Sequence, residues 1–555
     1  MRRVLAAAAA TFLCAALVAC GGSAATAPTA ATGSSPASAT ATAPAAAPGG
    51  KTMTVAIWSA PDSFNPVTAP NGYDYSAIGL MFDTLVWQSP DQAFHPLLAS
   101  SWSASADATT FTFHINPAAT WTDGQPVTSA DVQYSFDVAT DPAVPSHVGS
   151  FLSLVAGTTT QGKNTDPSQP LAGVKIVDPT TFQLVMKGPT DISTLLADIG
   201  INVYVIPQHA LKDVAAADFA KAPFFQNPTV TDGAFSFVKY VNSQYVEYRA
   251  NPKFFLGAPK LATLYLKVVP PTSMLSELRD GEIDATLVPG ESDVPLQDWP
   301  SIATLPNAKQ DPVQGTVLQM MYINDSRPYF QSPLVRQAIT MATNRQEIVT
   351  QLLKGQGSLA IGPIDPILTQ WVDSSLKPYP YDPAKAKQML QQAGFPFSQP
   401  LVLVVPTGNQ ARQESGPLLQ QDLQAVGLKV SIEQYDFATA YQMMTKGTYD
   451  FGLIGTGFGS DPSLSAAWFT CNGSLDREHF CDPQMAPLYD AALKTGDATQ
   501  KKAIYDQIQQ RIYTEAPMVF LYYADGLMAY NTRINQAAVP TVYGMLEPWL
   551  WDIQS

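Results

Sequence analysis

The sequence predicts a mixed α/β protein built from more than one lobe. Three observations predict it. The chain has 555 residues, which at roughly 150 residues per domain gives three to four domains or lobes. Its second half alternates helix-like and strand-like segments, the signature of an α/β lobe. Its first half is richer in strands, and no internal repeat links the two halves. Apolar residues make up 46% of the chain, enough for large cores.

The N-terminus reads as an address. Arg2 and Arg3 precede an apolar run from Val4 to Val18, too short to span a bilayer and right for a signal peptide. Leu17-Val18-Ala19-Cys20-Gly21 resembles a bacterial lipobox. Residues 1–19 are therefore expected to be a lipoprotein signal peptide and Cys20 its lipidated residue; a plain secretory signal with an incidental Cys is the blander reading. Two or three acyl chains would anchor stably where one is marginal. Residues 20–50 are almost wholly Ala, Thr, Ser, Pro and Gly and cannot bury a core. They read as a tether with an r.m.s. reach of about 30 Å. The expected location is extracytoplasmic, lipid-anchored on the outer face of the cytoplasmic membrane or in the periplasm.

Folded elements should begin near Lys51. Met53 to Trp58 reads as a first strand, followed by the turn-rich Pro61 to Pro66. Phe111, Phe113 and Ile115 alternate with polar residues, a half-buried strand. Thr122-Asp123-Gly124 turns into a helix from Ser129 to Val138. Val174 to Val177 and Phe182 to Met186 form a hairpin about Asp178-Pro179. Tyr245 to Arg249 and Leu264 to Val269 are strands. A helix from Ser273 to Arg279 stops at Gly281, and Ile283 to Leu287 returns as a strand. Ser332-Pro333 starts a helix with Pro at its tolerated first position, and Asn344 with Glu347 starts another by a capping-box signal. Asp382-Pro383 opens a helix that Gly394 closes. Leu401 to Val405 is a buried strand, Leu418 to Val426 a helix stopped by Gly427, and Leu428, Val430 and Ile432 the next strand. Phe451 to Ile454 is a short strand, and Lys501 to Tyr513 an amphipathic helix that ends before Pro517.

Charge and motifs exclude several functions. With 31 basic and 46 acidic residues the formal net charge is −15, a poor balance for a nucleic-acid binder. No long apolar run follows the N-terminus, so a multi-span membrane protein is excluded. Of four cysteines, Cys14 leaves with the signal peptide and Cys20 is lipidated. Cys471 and Cys481, at short spacing in an exported chain, read as a disulfide. The rival is a metal site of Cys471, His479 and Cys481, one ligand short of a structural zinc site. There is no His-Glu-x-x-His, no G-x-S-x-G elbow and no Walker loop. Gly455-Thr456-Gly457-Phe458-Gly459-Ser460 lacks the third glycine of a dinucleotide fingerprint. It reads as a loop whose backbone approaches a ligand or a hinge. No enzyme activity, cofactor or metal is expected.

Several segments carry a resemblance. Leu98 to Trp102, Phe111-Thr112-Phe113 and Trp121 to Val132 come in the order and spacing of a recognisable block. Asp232 to Phe235, Arg249 to Phe255, Leu278 to Asp284, Ile323-Asn324 with Val335 to Ile339, and Tyr381 to Gly394 follow. Together they resemble the dipeptide- and oligopeptide-binding family of solute-binding proteins (family 5) that serve ATP-driven importers. The resemblance runs from about residue 51 to the C-terminus. It implies a periplasmic-binding-protein-like α/β fold (type II, in its large three-domain variety), with mixed sheets and two lobes that close on a solute about a hinge. By analogy lobe I takes 51–93, 228–312 and 525–555, accessory domain II takes 94–227, and lobe III takes 313–524. The implied partners are a small solute, an ABC permease and a lipid anchor, with no nucleic acid, for a monomer.

One departure bears on the ligand. Peptide binders of this family carry an Asp four residues before the Pro of their Tyr-x-Asp-Pro segment, and it pairs with the peptide's α-ammonium. Here that position is Phe458, and Asp461 matches only the acid next to Pro462. An aromatic face can hold a cation or stack on a sugar, but it cannot reproduce a buried ion pair. By position in the family, Asn71, Gly72 and Tyr73 after the first strand, and Gly457, Phe458, Gly459, Asp461 and Trp468, are the candidate ligand contacts. Tyr73 and Trp468 fit core packing equally well, and Asp461 fits a turn cap. The function expected is capture of a peptide or peptide-like solute for an ABC importer. An oligosaccharide or glycoside receptor of the same fold, an exported hydrolase and a sensory receptor are the alternatives.

Overall fold

Three sheets organise the chain. In the structure, a computed structural model, residues 50–554 are described apart from 70, 91, 289, 291, 316, 408, 459–460, 474, 496 and 537–544. The signal peptide 1–19, Cys20, the tether before Gly50, and Gly459 lie outside the described residues.

The first large sheet has seven strands. Thr52–Ile57 lies near its middle, parallel to Thr263–Val268 on one side and to the short Ala285–Thr286 on the other. Outside these lie Tyr245–Ala250 and Phe235–Val241 at one edge, and Gly526–Asn531 and Ala308–Val313 at the other. A four-stranded antiparallel sheet, ordered Ala99–Ala104, Thr110–Ile115, Thr181–Val185, Val174–Asp178, carries the helix Ser129–Thr140. One hydrophobic core runs without a break from Met53 and Leu264 of the first sheet to Phe113 and Phe182 of the second.

The second large sheet has six strands, ordered Gly357–Leu359, Met518–Ala524, Leu318–Ile323, Phe451–Thr456, Pro400–Pro406, Lys429–Tyr435. Successive side chains of a strand point to opposite faces, and here both faces are covered. Met321, Leu403, Leu453 and Val519 enter one core, under the helices Pro333–Ala342 and Gln410–Ala425. Met320, Val404, Ile454 and Phe520 enter the other, under the helices Met485–Lys494 and Ala498–Glu515. Burial on both faces explains the nearly continuous apolar runs of these strands. The fold is thus mixed α/β and two-lobed, as the sequence predicts.

Two connections join the large sheets. Residues 314–317 lead from Ala308–Val313 to Leu318–Ile323, and Asp525 alone separates Met518–Ala524 from Gly526–Asn531. The connections touch: a Cβ placed on Gly315 would lie 1.5 Å from the carbonyl oxygen of Ala524. Only a glycine permits that approach.

Candidate functional site

The register of the strands fixes which ends face the connections. In the seven-stranded sheet the parallel strands Thr52–Ile57 and Ala285–Thr286 run antiparallel to Gly526–Asn531, so their carboxyl ends lie towards Gly526 and Val313. In the six-stranded sheet, Pro400–Pro406, Lys429–Tyr435 and Phe451–Thr456 are mutually parallel, and Thr456 pairs with Leu318. The carboxyl ends of both parallel sets therefore converge on the two connections. In open α/β sheets that is where ligands bind.

On the seven-stranded side, the loop after Thr52–Ile57 leads to the helix Gly72–Ile78. Asn71 caps it, accepting from the Asp74 amide at 3.1 Å and donating to Asp62 Oδ2 at 3.2 Å. Gly72 is exposed and Tyr73 packs partly buried against the core. Gly72 also lines a cavity of about 520 Å³, together with Tyr75, Trp87, Tyr204 and Trp549. None of Gly457, Phe458, Asp461 and Trp468 lines it, so this cavity does not bring the two groups of candidates together.

On the six-stranded side, Gly457 is exposed just past the strand Phe451–Thr456. Phe458 is buried, its ring edge-on to half-buried Trp468 at 4.8 Å and stacked near Phe469 at 5.9 Å. Asp461 is 2% exposed. Its Oδ1 accepts from the Ser463 amide at 2.8 Å and from the Tyr505 hydroxyl at 2.8 Å. Its Oδ2 accepts from Thr194 Oγ1 at 3.0 Å and from Lys501 Nζ at 3.1 Å. The Lys501 ammonium, also buried, reaches Thr194 Oγ1 at 2.7 Å and Asp191 Oδ2 at 3.1 Å. Three acceptors satisfy its three donors, and its Nζ lies 5.4 Å from the Trp371 ring centroid. Burial opposes ionisation of Asp461, but Lys501 and the hydrogen bonds outweigh it and hold the carboxyl below its usual range. Asp198, beside this cluster, is pushed up to about 8 by burial, with Asp461 adding to the rise and Lys501 reducing it.

These contacts tie segment 191–198, which follows the four-stranded sheet, to the six-stranded side. No local signal reveals them, because Lys501 lies 40 positions from Asp461 and Thr194 lies 267 from it.

A second polar group unread in the sequence sits beside the connections. Gln319, the second residue of its strand, accepts at Oε1 from Arg412 Nε at 3.1 Å. Arg412 lies in the first turn of the helix Gln410–Ala425, whose cap Asn409 accepts from the Arg412 amide at 2.9 Å. Both side chains are buried. An available signal was a cation in a first helical turn, where the helix dipole favours acids.

Cys471 and Cys481 form a disulfide. Neither sulfur is then free for the metal reading, and His479 instead bonds the Met444 carbonyl through Nε2 at 3.2 Å.

The family model described as bacterial extracellular solute-binding proteins, family 5 Middle, matches residues 93–476. The chain is 27% identical over 491 residues to di/tripeptide-binding protein 2 of Pseudomonas aeruginosa, covering 84% of this chain and 88% of that one. It is 26% identical over 510 residues to heme-binding protein A of Haemophilus influenzae, covering 87% and 89%. Its fold is similar to the solved structure of the oligopeptide-binding protein AppA from Bacillus subtilis in complex with a nonapeptide. The TM-score is 0.73 at 21% identity, over 91% of this chain and 99% of that one.

Proposed function

The chain belongs to the bacterial extracellular solute-binding proteins of family 5, and from that premise we propose that it captures a peptide or peptide-like solute between its lobes and passes it to an ABC importer. The observation that carries this reading is the convergence of both sets of strand carboxyl ends on two touching connections. Such a pair of crossings is a natural hinge, and closure of two lobes about a hinge buries a solute between them. Lobe I comprises 51–93, 228–312 and 525–555, accessory domain II comprises 94–227, and lobe III comprises 313–524. The three larger sheets support this division, since each draws its strands from one of the three sets but for Val313 at a strand end, while the small pairing of Val86–Gln88 with Phe94–Pro96 crosses the boundary at 93/94.

Peptide is the favoured class because relatives named for di- and tripeptides and for oligopeptides match most of the chain. Extended backbone supplies affinity by main-chain pairing, and ordered water tolerates varied side chains. Contacts come from Asn71, Gly72 and Tyr73 on one lobe and from the Gly457–Trp468 region on the other. Asp461 contributes by fixing that loop against Lys501 rather than by meeting the solute. Lipidation at Cys20 holds the protein at the membrane on the 20–50 tether, and no chemistry is performed on the solute.

Mass spectrometry of small molecules released on denaturing the protein purified from its native host tests the reading. Peptides or peptide-like solutes released in near-stoichiometric amount are expected. Release of glycans alone would move the sugar-receptor alternative to first place, and chemical turnover of a released solute by the refolded protein would overturn the reading.

A further inference from the structure

We propose that Lys501, Asp191 and Thr194 form the latch that holds the two lobes shut over a captured solute. This rests on the solute-capture reading and adds the contact on which retention depends. The three are positioning residues, acting through closure.

Segment 191–200 packs with the first lobe. Leu195, Leu196 and Ile199 enter the hydrophobic core that runs unbroken between the seven-stranded and four-stranded sheets. Asp461, Lys501 and Tyr505 belong to the six-stranded side, where Phe458, Phe469 and Tyr505 enter one of its two cores. Among the described residues, no hydrophobic cluster holds side chains from both sides. The hydrogen bonds among the described residues that join 94–227 to 313–524 all lie in this one cluster. They run from Lys501 Nζ to Asp191 Oδ2 at 3.1 Å, from Lys501 Nζ to Thr194 Oγ1 at 2.7 Å, and from Thr194 Oγ1 to Asp461 Oδ2 at 3.0 Å. The lobes can therefore part here without tearing a core, and what they part is polar.

Each half of the contact stays satisfied when parted. On the six-stranded side, Lys501 keeps Asp461 at 3.1 Å and the rings of Trp371 and Tyr505, whose centroids lie 5.4 and 5.6 Å from Nζ. Asp461 keeps the Ser463 amide and the Tyr505 hydroxyl. On the other side, Asp191 caps the turn that follows it, accepting from the Ser193 and Thr194 amides at 3.0 and 3.2 Å. Two of the three Lys501 donors exchange a protein partner for water. Asp198 Oδ1, buried beside the cluster with no hydrogen-bond partner, gains water as well. The buried Arg336 is built otherwise. Its partners Asp325, Glu515 and the carbonyls of Phe330 and Gln331 all lie in 313–524, so no lobe motion separates them. For buried ions, the attraction gained is largely offset by the hydration lost. Closure through such a contact is close to balanced, and the contacts a solute adds decide it. A large apolar contact would hold the lobes shut whatever lay between them.

The test uses the full chain as wild type, Thr194→Val and Thr194→Ser. Valine keeps the branching of threonine but removes the hydroxyl that accepts from Lys501 and donates to Asp461; serine keeps that hydroxyl. Amide hydrogen exchange, read by mass spectrometry without added peptide, is followed in 461–469 and 498–506, which lie across the contact from the substitution. Thr194→Val is expected to exchange roughly 10-fold faster than wild type in these two segments, with 410–425 and the urea midpoint unchanged. Thr194→Ser should exchange as wild type does. Stopped-flow dissociation of an equimolar mixture of tri- to hexapeptides should be roughly 10-fold faster from Thr194→Val, with association unchanged. Unchanged exchange, or faster exchange with unchanged dissociation, overturns the latch. Faster exchange throughout the chain with a lowered urea midpoint assigns Thr194 a structural role and also overturns it. If wild type binds none of the peptides while the local exchange difference is present, peptide capture falls and the latch is supported.

Discussion

Lys501 joins three parts of the chain through one ammonium, and its surroundings set two expectations. Replacing it with Met leaves Asp461 buried beside Asp191 without a counter-charge. Breaking a buried pair from one side costs about 3–5 kcal/mol, so Lys501→Met should lower stability by that order in urea unfolding. Adding Asp461→Asn should recover part of the loss; full additivity of the two would show that they do not interact. The second expectation concerns Asp198, whose folded pKa of about 8 lies above its unfolded value of about 3.9. The neutral form is the one the fold favours. The stability it contributes is whole below about pH 4 and is lost as the pH rises through about 8. Asp198→Asn should remove a slope of up to roughly 1.4 kcal/mol per pH unit in that window. Identical pH profiles for wild type and variant would refute this. At this scale the sequence was half legible. Asp461 before Pro462 could be read as a turn cap, which its bond to the Ser463 amide shows. Its long-range partners could not, because burial and not spacing brings Lys501 and Thr194 to it.

Among the elements, capped helices were the most legible. Asp382 accepts from the Lys385 amide at 2.9 Å, as its place before Pro383 predicts. Gly281 and Gly394 take positive φ at their helix ends. The helix expected from Leu418 to Val426 begins earlier, at Gln410, and runs through Gly416-Pro417. Pro417 removes one amide donor, but Leu419 and Leu423 are fully buried and hold the helix through it. The strand expected at Ile283 to Leu287 narrows to Ala285–Thr286. Strands Leu318–Ile323 and Met518–Ala524 went unread, since buried runs lack the alternation that marks a half-buried strand. The disulfide closes a short loop that carries Phe480 beneath the Arg336 guanidinium, 5.7 Å from its ring centroid. Replacing Cys471 and Cys481 with Ser should cost about 2–3 kcal/mol. Chemical denaturation with and without reductant checks this, and the variant should be insensitive to reductant.

At the scale of the whole molecule, the sequence announced two lobes but not how they are threaded. The Gly315 contact predicts that Gly315→Ala is destabilising by roughly 1–3 kcal/mol, the usual cost of overpacking, and weakens solute retention by shifting the connection. An unchanged unfolding midpoint with unchanged retention would refute it. The threading has a further consequence for how the protein is made. Met518–Ala524 is an interior strand of one sheet and Gly526–Asn531 of the other, with one residue between them. Lys51, at the start of the first lobe, is paired with Asp552 at 2.6 Å. Multidomain chains commonly fold from the N-terminus during synthesis. Here the four-stranded sheet can close early, but neither large sheet is complete until the final segment leaves the ribosome. A nascent chain stalled at residue 517 should therefore be cut by protease within both large sheets, whereas release of the full chain should protect both together. Vectorial synthesis thus keeps both large sheets open and threadable to the last, and the same closing stretch then completes them in one step.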